Sequence, residues 1–256
     1  MSGLPVWLQA GLWGALGGSS LILGAALAYL VRLPARVTAG IMAFGCGVLV
    51  SAVAYDLILE SFEAADLLPI VLGMLAGSGA YAGANWLISH HGRHRKRSDG
   101  AEGGAGQGEG GQAGLAIAVG SLLDGIPESV VLGVSLLGGE GISLAVLAAI
   151  LLSNLPEGLS SAVGMRKAGR SAAYVFGLWG GITLLSGAAA ALGAGLLGGA
   201  SPTVLATVSA VAAGGLLTMV ADTMLPEAVE GEGGLTGVLV VLGLLAAFAL
   251  SHGTSG

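Results

Sequence analysis

Asp124-Gly125-Ile126-Pro127-Glu128 and Ser153-Asn154-Leu155-Pro156-Glu157-Gly158 are two versions of one short arrangement, and both lie within long apolar stretches. An offset of 29 residues lays Pro127 on Pro156 and Glu128 on Glu157. In each, a polar residue (Asp124 or Ser153) precedes the glutamate by four positions, so on a helix both side chains share a face. Proline has no N–H to give, so the carbonyl four residues earlier, Leu123 or Leu152, loses its helical partner. In hydrocarbon a bare carbonyl and a carboxylate each cost several kcal/mol unless something polar meets them. Two such faces turned together would gather carboxylates, an amide and loose carbonyls about one point, the donor set of a cation site. Proline kinks with carboxylates at helix ends are the plainer explanation. Ionisable residues at membrane depth are rare and mostly functional, and the duplication favours the site.

Composition supplies the hydrocarbon. Of 256 residues, 54% are hydrophobic and only 9% charged, against about 25% charged in a soluble domain. Several apolar runs reach the roughly 20 residues that cross a bilayer. The expectation is an all-α polytopic membrane protein. The 48 glycines suit it, because small residues let helices approach closely where burial from water no longer drives association. A single cysteine, Cys46, excludes an intrachain disulfide and a cysteine metal cluster. No Lys or Arg precedes Arg32, so a cleaved signal peptide is not expected.

Hydropathy predicts eight spans at about 4–31, 37–60, 68–89, 113–137, 142–164, 171–198, 203–226 and 234–251. The nine basic residues then fall in three connections: Arg32 and Arg36; Arg93, Arg95, Lys96 and Arg97; Arg166, Lys167 and Arg170. These are alternate loops on one side, which the positive-inside rule makes cytoplasmic. Both termini are then expected outside, in what reads as a plasma (inner) membrane protein. The opposite loops carry Glu63, Asp66 and Glu140 and no basic residue, an acidic mouth that would concentrate cations or simply a set of soluble loop side chains.

Between the spans, the segment from His90 to Arg97 holds His90, His91 and His94 beside four basic residues. It reads as a basic patch at the lipid surface in preference to a transient metal holder. Eight of the fifteen residues from Gly100 to Gly114 are glycine, so 90–113 is expected to be a flexible cytoplasmic loop. Cys46, between Gly45 and Gly47, reads as a small buried residue at a helix contact. Asp56 and Glu60 either line an access path or face headgroup water. Span six has no ionisable residue except Tyr174, and span seven carries Asp222, Glu227 and Glu230.

An offset of 167 residues lays span two on span seven, matching Gly47 with Gly214, Leu49 with Leu216, Val53 with Val220, Ala54 with Ala221, Glu60 with Glu227 and Glu63 with Glu230. The two spans run in opposite directions. Like segments of opposite direction are the sign of an inverted repeat, whose substrate sits near the midplane where the halves meet. The plan is three helices, two helices, three helices.

The chain resembles the ZIP family of zinc and iron transporters across all eight spans, including the His-bearing loop after span three and Leu225-Pro226-Glu227-Ala228. The family typically shows His-Asn-x-Pro-Glu-Gly in spans four and five. Here Pro-Glu is kept in both, with Asn154 and Gly158 in the second, while Asp124 and Ser153 stand where the histidines would be. The family's span-six Ser-Gly-x-x-Glu-Pro-Leu-Gly reads Ser186-Gly187-Ala188-Ala189-Ala190-Ala191-Leu192-Gly193, with Ala190 at the acidic position. The resemblance implies a two-metal centre between spans four, five and six, of which this chain lacks both imidazoles and one carboxylate. It also implies a homodimer.

The function expected is transport of a divalent metal cation (zinc, iron or manganese class) by alternating exposure of a midplane site. Asp124, Glu128 and Glu157 would supply charge, and Ser153 and Asn154 would complete an oxygen shell; Asp56, Glu60, Asp222 and Glu227 would line the path. Three carboxylates roughly neutralise one divalent ion, as a low-dielectric site requires. No prosthetic group and no nucleic acid partner are expected; the metal is cargo and the bilayer the surroundings. The alternatives are a proton or other cation carrier on the same fold, and a non-transporting metal sensor. An enzyme is not expected, because His90, His91, His94 and His252 all lie at or beyond span ends and no nucleophile and base pair lies within them.

Overall fold

The computed structural model describes residues 4–31, 33–91, 125–126, 128–138, 142 and 144–253. All regular structure among them is helical. In chain order the elements are α1 (Val6–Leu30), α2 (Ala35–Ser51), a π-helical segment (Ala52–Leu59), α3 (Glu60–Ala64), α4 (Leu67–His91), α5 (128–135) with a 3₁₀ turn (Leu136–Gly138), α6 (Leu144–Lys167), α7 (Ala172–Leu197), α8 (Pro202–Met219), a second π-helical segment (Val220–Met224), α9 (Leu225–Glu232) and α10 (Thr236–Gly253). Among the described residues six continuous helices are long and apolar enough to cross a bilayer: Val6–Leu30, Ala35–Ala64, Leu67–Leu87, Val146–Arg166, Ala172–Leu197 and Pro202–Gly231. Thr236–Ser251 is equally apolar but shorter. The chain is a helical protein built for a membrane.

Local chemistry sets the helix ends. Pro5 and Pro34 precede α1 and α2, and Pro202 opens α8 at a position where no N–H is needed. The Ser171 side chain accepts a hydrogen bond from the Tyr174 N–H at 3.2 Å, and Ser201 accepts one from Val204 at 3.4 Å. Each such cap contributes about 1 kcal/mol. Gly169, at φ 77°, turns the chain between α6 and α7, and Gly233, at φ 86°, ends α9; side chains with a Cβ rarely adopt either conformation.

Contact between helices runs through glycine. α1 packs along α6 and α7, α2 along α10, and α4 along α8, while α2 also meets α6 and α9. A Cβ on Gly47 of α2 would strike the Val240 carbonyl of α10, and one on Gly243 of α10 would strike the Phe44 carbonyl of α2. The same reciprocity joins α4 and α8: Gly77 meets the Val211 carbonyl, and Gly214 meets the Met74 carbonyl. Backbones this close exchange dispersion and weak Cα–H···O contacts that larger side chains would prevent. The two larger apolar clusters among the described residues follow from this packing. One is formed by α1, α6 and α7 around Leu21, Leu159 and Trp179; the other lies among α2, α5, α6 and α8 around Met42, Leu132 and Leu216.

Several span ends differ from the hydropathy reading. Spans two and seven continue beyond 60 and 226 to Ala64 and Gly231, because Glu60, Glu63, Glu227 and Glu230 extend the helices at exposed or half-buried positions. Both thirty-residue helices, Ala35–Ala64 and Pro202–Gly231, start and stop at the same 167-residue offset as the sequence matches. Each also carries its π-helical segment at a corresponding place. Residues 113–124 of span four, most of the 90–113 loop, and His94 lie outside the described residues.

Candidate cation site

Glu128, at the start of α5, and Ser153, Asn154 and Glu157, on α6, are each at most 4% exposed. The Ser153 Oγ lies 3.3 Å from Glu128 Oε1 and 3.1 Å from the Ile150 carbonyl, so its single proton serves one or the other. This contact joins the two proline-glutamate arrangements. Asn154 Nδ2 donates to the Gly17 carbonyl of α1 at 3.4 Å. Glu157 follows one turn beyond Ser153 on the same face. Asp124, the third expected carboxylate, lies outside the described residues, as do Leu123 and Pro127. Among the described residues no three of His, Cys, Asp and Glu group closely enough to hold a metal ion.

Pro156 sits inside α6 and leaves the Leu152 carbonyl without its helical N–H. That carbonyl faces α2, 3.0 Å from where a Cβ on Gly45 would stand. The loosened carbonyl is therefore approached closely by the Gly45 backbone. Cys46, beside it, is fully buried, as its flanking glycines suggest.

The structure adds hydroxyls, of which only Ser186 stood in a quoted motif. Thr183 Oγ1 donates to the Gly18 carbonyl at 2.9 Å, and Ser20 Oγ to the Gly17 carbonyl at 2.8 Å. Ser186 Oγ of α7 lies 3.2 Å from the Cβ position of Gly125. The Gly17–Gly18 stretch of α1 is thus a polar seam between α6 and α7. Isolated Ser and Thr among apolar residues carry no spacing signal, and only the packing reveals them. Ala190, at the acidic position of the resembled pattern, is fully buried against Gly14 and Gly133. It belongs to a helix contact.

The four path residues separate. Asp56 is half-buried and accepts a hydrogen bond from Ser251 Oγ of α10 at 3.1 Å, while Glu60 and Asp222 are exposed. Glu227 is half-buried and accepts from Ser160 Oγ of α6 at 3.3 Å. Ser160 is one turn beyond Glu157. It and Glu227 open into a cavity of about 440 Å³ whose wall also includes Glu230, Arg166, Met42 and Val163.

No protein-family model matches this sequence, and a search of curated proteins finds no match. The functional reading therefore stands on the residues.

Proposed function

We propose that this protein carries divalent metal cations across a membrane through a site between α5 and α6. The observation that carries the reading is the pair of buried glutamates, Glu128 and Glu157, on duplicated proline-glutamate segments joined through Ser153. Ionisable residues at membrane depth are rare and mostly functional, and a bound cation would offset the cost of burying two carboxylates. A cargo cation supplies the charge at the midplane, with Asp124 as the third carboxylate and Asn154 and Ser153 as neutral donors. Oxygen donors suit manganese and iron(II), and imidazole-poor sites relax preference for zinc.

The architecture proposed is eight spans in a three, two, three order with an inverted repeat. It is supported by the matched thirty-residue helices, the matched π-helical segments, and the exchange of Gly47–Gly243 for Gly214–Gly77 between the halves. Alternating exposure follows from such a repeat. Residence in the plasma (inner) membrane, external termini and a homodimer complete the proposal.

The test is flux into liposomes holding the purified protein, with manganese, iron(II) and zinc compared. Manganese flux should fall to background in Glu128→Ala and in Glu157→Ala while both variants remain folded by size-exclusion chromatography. Asp56→Asn should lower the rate mildly at limiting metal. Full manganese flux in Glu157→Ala would refute the site. Acidification of the lumen without any metal would establish a proton carrier instead.

A further inference from the structure

The cavity beside Glu227 holds a charge of the wrong sign for a cation path. Arg166, in the last turn of α6, shares its wall with Glu227 and Glu230. Its guanidinium is not loose: Nη1 donates to the Ala28 carbonyl at 2.6 Å, and the group lies 5.5 Å over the Tyr29 ring. Ala28 is in the final turn of α1, where carbonyls lack helical N–H partners. One bond thus caps α1 and fixes a cation at the cavity wall. The cavity's roughly 440 Å³ exceeds the ~180 Å³ of six waters at about 30 Å³ each, so an ion can regain its hydration there. Two carboxylates facing a hydrated divalent ion would retain it; a fixed positive charge on the same wall opposes retention.

We infer that Arg166 is a built-in counter-charge that keeps the Glu227–Glu230 cavity from retaining the transported ion, so that release is not followed by trapping. The inference rests on the transport reading above and assigns a release function to a residue outside the midplane site. It also separates two uses of glutamate. Buried Glu128 and Glu157 would hold the ion; Glu227 and Glu230 would only pass it on.

The experiment reads binding without requiring transport. Purified protein carrying Glu128→Gln and Glu157→Gln would be titrated with Mn²⁺, free ion being followed by its EPR signal. Adding Arg166→Gln should tighten the remaining binding on the order of tenfold, whereas Arg166→Lys, which keeps the charge, should leave it unchanged. Adding Glu227→Gln and Glu230→Gln should abolish the gain. Arg166→Met serves as a second neutral variant should the glutamine form fail to fold. In liposomes, Mn²⁺ on the cavity side should inhibit flux of Arg166→Gln protein at about tenfold lower concentration than wild type. Neutral variants that bind no more tightly than Arg166→Lys, or a gain that survives removal of both glutamates, would overturn the inference. Absence of wild-type flux would overturn only the transport reading, because the binding comparison is independent of it.

Discussion

Ser153 and Ala190 show what one residue decides. Ser153 is 2% exposed and touches Glu128, so whatever replaces it faces the same carboxylate. Asp124→His with Ser153→His would put imidazole into an oxygen shell, and the ratio of zinc to manganese flux should rise severalfold. An unchanged ratio, measured by competitive uptake, would place selectivity elsewhere. Ala190→Glu restores the resembled acid on paper but not in space. A Cβ on Gly14 would already lie 2.6 Å from that of Ala190, so the added carboxylate would be forced into a dry helix contact. About 3–5 kcal/mol of destabilisation is expected, read as loss of monodisperse protein on mild heating, with no gain in metal bound. The repeated motif singled out Glu128, Ser153, Asn154 and Glu157 in sequence, and the fold shows them buried with Ser153 on Glu128. The contacts of Thr183 and Arg166 were not legible there, because they depend on what other helices bring opposite them.

At the scale of helices, the geometry of the candidate site depends on how closely α1 approaches α6. A Cβ at Gly24 would stand 2.7 Å from the Leu159 nitrogen, and one at Gly158 would stand 2.8 Å from the Leu21 Cα. Gly158 directly follows Glu157, so any parting of the helices moves the carboxylate. Gly158→Ala and Gly24→Ala should each destabilise by about 1–3 kcal/mol and reduce flux together with thermal stability. Gly180→Ala, whose Cβ meets nothing within 4 Å, is the control and should leave both unchanged. The abundance of glycine announced close helix packing, but which glycines form contacts is a property of pairing. Hydropathy located the six long apolar helices among the described residues and missed the π-helical segments at Ala52–Leu59 and Val220–Met224, since one extra residue per turn alters no average over a span. Segments of this kind often mark functional places in helices, and here they carry Asp56 and Asp222.

For the whole molecule, the expected orientation follows from where positive charge sits. Basic residues group at three places at or between the ends of the expected spans, so the loop containing Gly106 should be cytoplasmic and the end at Gly256 external. Cysteines introduced singly at these positions should label oppositely with an impermeant thiol reagent added to intact cells. The native Cys46 is fully buried and should contribute little background. Labelling at 106 but not at 256 would invert the assignment. Charge alone carries this expectation, whereas the α2–α10 and α4–α8 pairings needed the folded chain because their contacts join distant sequence.

That distance has a consequence for synthesis. The glycine face of α2 closes on α10, yet Gly47 and Gly243 are separated by 196 residues. At about 5–20 residues per second, a ribosome needs roughly 10–40 seconds to pass from one to the other. Throughout that interval α2 is in the membrane with its close-contact surface against lipid or a helper protein. Assembly of this half of the molecule is therefore timed by the synthesis of α10, and a chain stalled before it would leave a sticky, incompletely covered helix for quality control to find.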